Sequence, residues 1–194
     1  MRRLIIAIDC DDVLLRTTTF FVAAYNKLYG TKVTLKDAHT SGSPWGVSGP
    51  ELESRLAELM ETDAYKQLSP TDEEVAVLKE LSSNHKMHVV TARRTHEREL
   101  TQNMLDTYFP GIFSSLELVG FTGSKGDVTQ RIHADVLVDD NVRHLADAVS
   151  HGLPEAGALL FGDYPWNMSE ETNVVRCSSW KNVKKEIDRL ARTT

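Results

Sequence analysis

Cysteine is nearly absent: Cys10 and Cys177 stand far apart and form no Cys-x-x-Cys pair. Neither a disulfide scaffold nor a zinc ribbon is supported, and a reducing, cytoplasmic compartment fits best. Positive charge is also short, with 22 Lys and Arg against 28 Asp and Glu and a net charge of −6. No global field then attracts anionic polymers or lipid, so neither a nucleic acid polymer nor a membrane is expected as a partner. Long apolar runs are missing too. The start imitates a signal peptide until Asp9, Asp11 and Asp12 cut it short, and no later run reaches the roughly 20 residues of a membrane helix. Repeats and low-complexity tracts are absent, which sets aside collagen and coiled-coil architectures.

What remains is ordinary globular composition: 194 residues, 41% hydrophobic and 26% charged, enough to bury a core in one domain with an inserted subdomain. Apolar or β-branched runs at 4–9, 87–91, 116–121, 136–139, 158–161 and 174–177 are strand-sized. Between them lie helical patterns, including Leu100, Met104, Leu105 and Tyr108, then Val142, Leu145, Ala146 and Val149. A capping box, Thr71 with Glu74, opens another helix, and a tail helix is expected over 180–191. Continuous rather than alternating hydrophobicity in the strands predicts an α/β fold, a Rossmann-like parallel sheet with helices on both faces.

Residues 16–69 break this alternation and are too long for a simple connection. Phe21, Ala24, Tyr25 and Leu28 predict one helix there, and Leu52, Leu56, Leu59 and Met60 another, with a loop rich in Ser, Gly and Pro over 40–50. The expected division is a core of 1–15 plus 70–194 and a small helical cap of 16–69.

Open parallel sheets bind ligands beyond the carboxyl ends of their strands. Here those ends carry Asp9, Asp11 and Asp12, then Thr91, Ala92 and Arg93, then Asp139, Asp140 and Asn141, with Lys125 before the helix that leads into the fourth strand. Converging carboxylates repel one another unless a cation intervenes, and hard oxygen ligands with room for a substrate phosphate point to Mg2+. Asp9 and Asp11 are two residues apart, so both side chains can face one ligand while Cys10 turns away. One carboxylate can attack phosphorus while the other handles protons, and Lys125 offsets charge on the phosphoryl oxygens.

In order along the chain, Ile8-Asp9-Cys10-Asp11-Asp12-Val13-Leu14, Val89-Val90-Thr91, Ser124-Lys125-Gly126-Asp127 and Val138-Asp139-Asp140-Asn141 resemble the four motifs of the haloacid dehalogenase-like hydrolases. The resemblance implies Asp9 as nucleophile, Asp11 as general acid/base, and Thr91 and Lys125 as stabilisers of phosphate and nucleophile. It implies Mg2+ held by Asp9, the Asp11 backbone carbonyl, Asp139 and, through water, Asp140. Relatives that cleave carbon–halogen bonds lack an acid at the Asp11 position, so its presence implies phosphoryl transfer. Asp12 stands where many relatives carry glycine. The short cap and the segment 160–167 are similar to the cytosolic and mitochondrial 5′-deoxynucleotidase branch, which implies a small phosphomonoester, a (deoxy)nucleoside 5′-monophosphate, as substrate.

Phe20, Phe21, Trp45 and Tyr65 are candidates for a nucleobase pocket. Trp45, in a loop, is the better one, because Phe21 and Tyr25 sit at the helical spacing of a core face. Ala92 and Arg93 are expected near the substrate; Arg93 and Arg94 either meet its phosphate or complete a surface ion-pair network. His85 and His88 have ligand-like spacing but lack further His or Cys nearby, and a structural role is expected. Cys10, flanked by carboxylates, is expected to pack rather than react. A receiver-like phosphoacceptor module is the rival reading, opposed by Lys125 preceding Asp139. A phosphomutase, a silent relative and a homodimer stay open.

Overall fold

The computed structural model describes residues 1–39, 44–168 and 174–192. Among them, β1 (Ile5–Ile8), β2 (Lys86–Thr91), β3 (Phe113–Leu118), β4 (Val136–Asp139), β5 (Ala158–Phe161) and β6 (Val175–Cys177) form one sheet in the order β3-β2-β1-β4-β5-β6. Every pairing is parallel. The helices are α1 (Thr17–Tyr29), α2 (Gly49–Met60), α3 (Asp63–Lys66), α4 (Asp72–Ser82), α5 (Arg98–Tyr108), α6 (Lys125–Arg131), α7 (Val142–Ser150) and α8 (Trp180–Arg192).

The continuous hydrophobicity of the strands has a direct cause in the layers. Ile6 and Ile8 pack with Leu78 of α4, Leu105 of α5 and Val183 and Ile187 of α8. Ala7, between them, joins Leu137 and Leu160 beneath Val128 of α6 and Leu145 and Ala148 of α7 on the opposite face. On α7 the buried face is His144, Leu145 and Ala148, whereas Ala146, expected on the apolar face, is exposed. The capping box forms as expected: Glu74 N donates to Thr71 Oγ1, and Thr71 N donates to Glu74 Oε2.

The third strand begins and ends three residues earlier than the 116–121 expected. Its first half, Phe113-Ser114-Ser115, is too polar to register as an apolar run because β3 is an edge strand exposed in part. It ends level with Thr91, and the chain turns away through Gly120 at φ 70°, leaving Phe121 58% exposed.

Between β1 and α4, helices α1 to α3 close around an apolar cluster of their own, including Val22, Tyr25, Val33, Trp45 and Leu59. Residues 40–43 of the expected loop lie outside the described residues. Since β2 and β4 flank β1, the chain reverses direction across the sheet at β1, and the carboxyl ends of β1 and β4 open one crevice. The insertion leaves the chain directly above it.

Candidate active site

Lys125 organises the floor of that crevice. Its ammonium, fully buried, reaches Asp9 Oδ1 at 2.9 Å and Asp139 Oδ2 at 2.6 Å. It is the first residue of α6, not a residue of the preceding loop, and the N-cap Ser124, whose hydroxyl accepts from Asp127 N, fixes where the helix starts. Asp9 Oδ1 also accepts from Cys10 N at 2.7 Å, and Asp139 Oδ1 from Asn141 N at 2.9 Å. Carboxylate oxygens of Asp9, Asp139 and Asp140 lie within 4.8 Å of one another.

Burial is the main cause of the electrostatics here. It raises the Asp9 carboxyl, against the pull of Lys125, and Asp139 and Asp11 add repulsion. Asp139 is raised by burial and Asp140 well above the usual range by burial and then by Asp139 and Asp9. One ammonium between three buried carboxylates leaves surplus negative charge, so the donor set fits a hard divalent cation held by oxygen.

Asp11 turns elsewhere. Its Oδ1 accepts from Thr17 Oγ1 at 2.6 Å and from Arg93 NH2 at 2.7 Å, and its Oδ2 from Arg93 Nε at 2.9 Å. These cations and donors outweigh burial and hold its carboxyl below the usual range. The Asp11 side chain is therefore not among the three clustered carboxylates. Arg93 is buried and also donates to Thr101 Oγ1 and Tyr65 Oη, so it completes an interior network rather than a surface ion pair. Arg94 does form a surface pair, with Glu53 of α2 at 2.8 Å, and lies 4.5 Å above the Phe121 ring.

Asp12 occupies the left-handed region at φ 58°, which explains why glycine suits this position. Its carboxylate accepts from Thr18 N at 3.1 Å and from the Thr18 hydroxyl, and burial pushes it up to about 7.

A cavity of about 350 Å3 lies between the crevice and the insertion. Asp9, Asp11, Asp140, Ala92 and Arg93 line its floor; Phe21, Trp45, Leu56, Met60 and Tyr65 line its roof. Phe20 is not on the lining and instead packs edge-on to Phe21 and Tyr65. Phe21, expected in the core, takes its place on the wall. Trp45 touches the cavity but is 6% exposed, with its ring held edge-on to Tyr25. Thr91 and Lys125 are fully buried and lie behind the lining. A second concavity, about 580 Å3, is formed by α8 alone around Lys181, Lys184 and Arg189 and includes none of these residues.

Cys10 is buried and its thiol is pushed strongly up by burial. His85 Nδ1 accepts from Leu4 N at 3.2 Å, while His88 Nδ1 meets Ser115 Oγ at 2.8 Å, so the two do not converge. Thr17, His144 and Phe121 on the lining, the contact of Trp166 with Asp140, and Glu53 as the partner of Arg94 escaped the sequence reading. For Thr17 and Trp166 no spacing rule exists, because each meets its carboxylate only through the fold.

The sheet order and the acidic floor define the class. A haloacid dehalogenase-like hydrolase of Streptococcus pneumoniae superposes with a TM-score of 0.69 at 13% identity, covering 95% of this chain and 98% of that one. A haloacid dehalogenase-superfamily hydrolase of Geobacter sulfurreducens gives 0.61 at 16%, covering 97% and 96%, and a 2-haloacid dehalogenase of Pseudomonas syringae pv. Tomato 0.56 at 14%, covering 97% and 99%. The fold is that of the haloacid dehalogenase-like hydrolases. Within it, residues 3–193 match the family model of the 5′ nucleotidase, deoxy (pyrimidine), cytosolic type C proteins, and the chain belongs to that family. An inferred nucleotidase of Halalkalibacterium halodurans is 26% identical over 186 residues, 93% of this chain and 91% of the relative. The protein is an enzyme of the phosphoric monoester hydrolase type, which sets aside the receiver module.

Proposed function

We propose that the protein is a Mg2+-dependent phosphatase that hydrolyses a nucleoside 5′-monophosphate through a phosphorylated Asp9. The observation that carries this reading is Lys125 bridging Asp9 and Asp139 beneath a cavity roofed by the insertion. In the first step Asp9 attacks phosphorus, the bond from phosphorus to the leaving oxygen breaks, and Asp11 delivers a proton to that oxygen. A dianionic phosphate seated beside Asp11 raises its proton affinity against the pull of Arg93. In the second step Asp11 takes a proton from water, the water oxygen attacks phosphorus, and Asp9 leaves as a free carboxylate with inorganic phosphate.

Asp9, the Asp11 carbonyl, Asp139 and Asp140 would hold the cation, which supplies charge stabilisation to the phosphoryl oxygens. Lys125 keeps Asp9 ionised for attack and Asp139 fixed. Thr91, whose hydroxyl accepts from Arg93 N at 3.3 Å, braces the strand end on which the phosphate rests.

Residues 16–69 act as the cap that selects the leaving group. A roof of Phe21, Leu56, Met60 and Tyr65 suits a planar base, and the volume falls within the range of small-molecule sites. Two buried free thiols suit the cytoplasm, and among the described residues no helix is long and apolar enough to cross a membrane.

The test is inorganic phosphate release from ribo- and deoxynucleoside monophosphates, sugar phosphates and phosphoglycolate, with Mg2+ and with chelator. Turnover lost to chelator and highest on nucleotides is expected. Turnover only on sugar phosphates would overturn the substrate, and chelator-insensitive turnover would overturn the metal.

A further inference from the structure

The loop after β5 turns at Gly162, where φ is 77° and a Cβ would lie 2.2 Å from the Tyr164 ring. That tight turn folds Tyr164 back so that its ring stacks on Trp166, with centroids 4.5 Å apart and an interplanar angle of 4°. Tyr164 Oη donates to the Asp12 carbonyl at 2.7 Å and accepts from Arg16 at 2.8 Å. Asn167, buried, donates to the carbonyls of Asp140 and Phe161 at 3.0 and 3.1 Å and accepts from Tyr164 N. Tyr164 and Asn167 thus tie this stretch of the loop to the acidic strand ends.

Trp166 is what this scaffold presents. Its indole Nε1 donates to Asp140 Oδ2 at 2.7 Å, and His39 of the insertion stacks on the ring, with centroids 4.3 Å apart and an interplanar angle of 26°. The choice of donor has a chemical consequence. Lys125 offsets part of the charge on Asp9 and Asp139, but an indole is a neutral, donor-only group. It fixes one oxygen of Asp140 without reducing its charge, and it leaves the other lone pairs for a cation. Such partners behind metal-binding carboxylates set ligand orientation.

We propose that Trp166 is a positioning residue that holds Asp140 in place for the cation, with His39 of the cap closing the outer face of the ring. This rests on the Mg2+ reading above. One indole thereby joins the metal-binding edge of the sheet to the element that covers substrate.

The test replaces Trp166→Phe, which keeps the stacked ring and removes the N–H, and measures Mn2+ binding from the electron paramagnetic resonance signal of free Mn2+. The expected result is a dissociation constant raised about tenfold. The Mg2+ needed for half-maximal turnover should rise in proportion, with kcat largely recovered at saturating Mg2+. A folded variant, with a cooperative melt like that of the wild type, that binds Mn2+ within about twofold of wild type would overturn the proposal.

A second measurement uses the wild type and does not depend on the variant folding. Among the three tryptophan indole N–H resonances, that of Trp166 should move on Mg2+ addition with the dissociation constant of the metal. An indole signal that stays still while metal binds would overturn the role of Trp166 alone. A wild-type protein that binds no Mn2+ would overturn the metal reading and this inference together.

Discussion

Arg93 grips Asp11 through a two-bond fork, Nε to Oδ2 at 2.9 Å and NH2 to Oδ1 at 2.7 Å, across 82 residues of sequence. A planar guanidinium matches a carboxylate in one orientation, so the fork fixes Asp11 at its proper angle. Arg93 also reaches Tyr65 of α3, and so meets both Asp11, the proposed acid/base, and the insertion.

Arg93→Met should therefore slow reactions that need a proton on the leaving oxygen. We expect kcat on a nucleoside monophosphate to fall about a hundredfold, with a much smaller loss on p-nitrophenyl phosphate, whose leaving oxygen needs little protonation. Arg93→Lys, a point charge without the fork, should recover part of the loss. Equal losses on both substrates in a folded variant would show a purely structural role.

Two of the three carboxylates of the first motif, Asp9 and Asp11, should respond in opposite ways to neutralisation. Asp9→Asn relieves repulsion with Asp139 and Asp140 and leaves Lys125 paired with Asp139, so its metal-free melting temperature should match or exceed that of the wild type while kcat falls more than about a thousandfold. Asp11→Asn instead leaves the Arg93 guanidinium buried against a neutral partner, at a cost of about 3 kcal/mol. Thermal melts and phosphate release on both variants check the contrast.

Stability without metal should fall as pH rises from acid towards neutrality at this cluster. Asp9, Asp139 and Asp140 all have folded-state values raised above the ordinary 3.8, mainly by burial. Between 3.8 and the raised values the folded protein binds more protons than the unfolded chain, and raising pH through that window favours unfolding. Mg2+ offsets the same charge, so its addition should raise the melting temperature more near pH 7.5 than near pH 5, where protons compete for the oxygens. Equal gains at both pH values would count against the site.

Phe121, 58% exposed at the cavity edge beneath Arg94, contributes little to the core. Phe121→Ala should leave stability within about 0.5 kcal/mol. It should raise KM for a nucleoside monophosphate several-fold, with kcat nearly unchanged, as expected for a contact made equally in ground and transition states. An unchanged KM would place the base elsewhere.

Cys10 and Cys177 are buried and their thiols are pushed up, Cys177 to about 11, by burial. A thiol reagent should therefore titrate neither in the native protein and both after denaturation. Rapid native modification of Cys10 with loss of activity would contradict its packing role.

Most of the sheet was legible because the inner strands β1, β2, β4 and β5 are buried on both faces over nearly all of their length and hence mainly apolar. The third strand was misplaced by three residues because an edge strand needs only partial burial, and its polar first half carried no signal. Helical spacing fixed where α7 lies but not which side of Ala146 meets the sheet. At the site, the acidic residues were legible because they stand at strand ends in an order that chemistry constrains. Phe20 and Phe21, adjacent on α1, could not be told apart from sequence, since which one faces the cavity depends on how α1 rotates against α3.

The sequence by itself determined the parallel sheet and the long insertion, and it pointed to Asp9, Asp11, Lys125, Asp139 and Asp140 as the candidate site, because local periodicity encodes the elements and the order of the motifs marks their ends. Only the tertiary structure decided the pairings. Arg93 finds Asp11, Trp166 finds Asp140 and Lys125 spans Asp9 and Asp139 because parallel strands bring distant strand ends to one edge. Contacts between residues far apart in the chain depend on sheet order and helix rotation, and neither is written into any short stretch of residues.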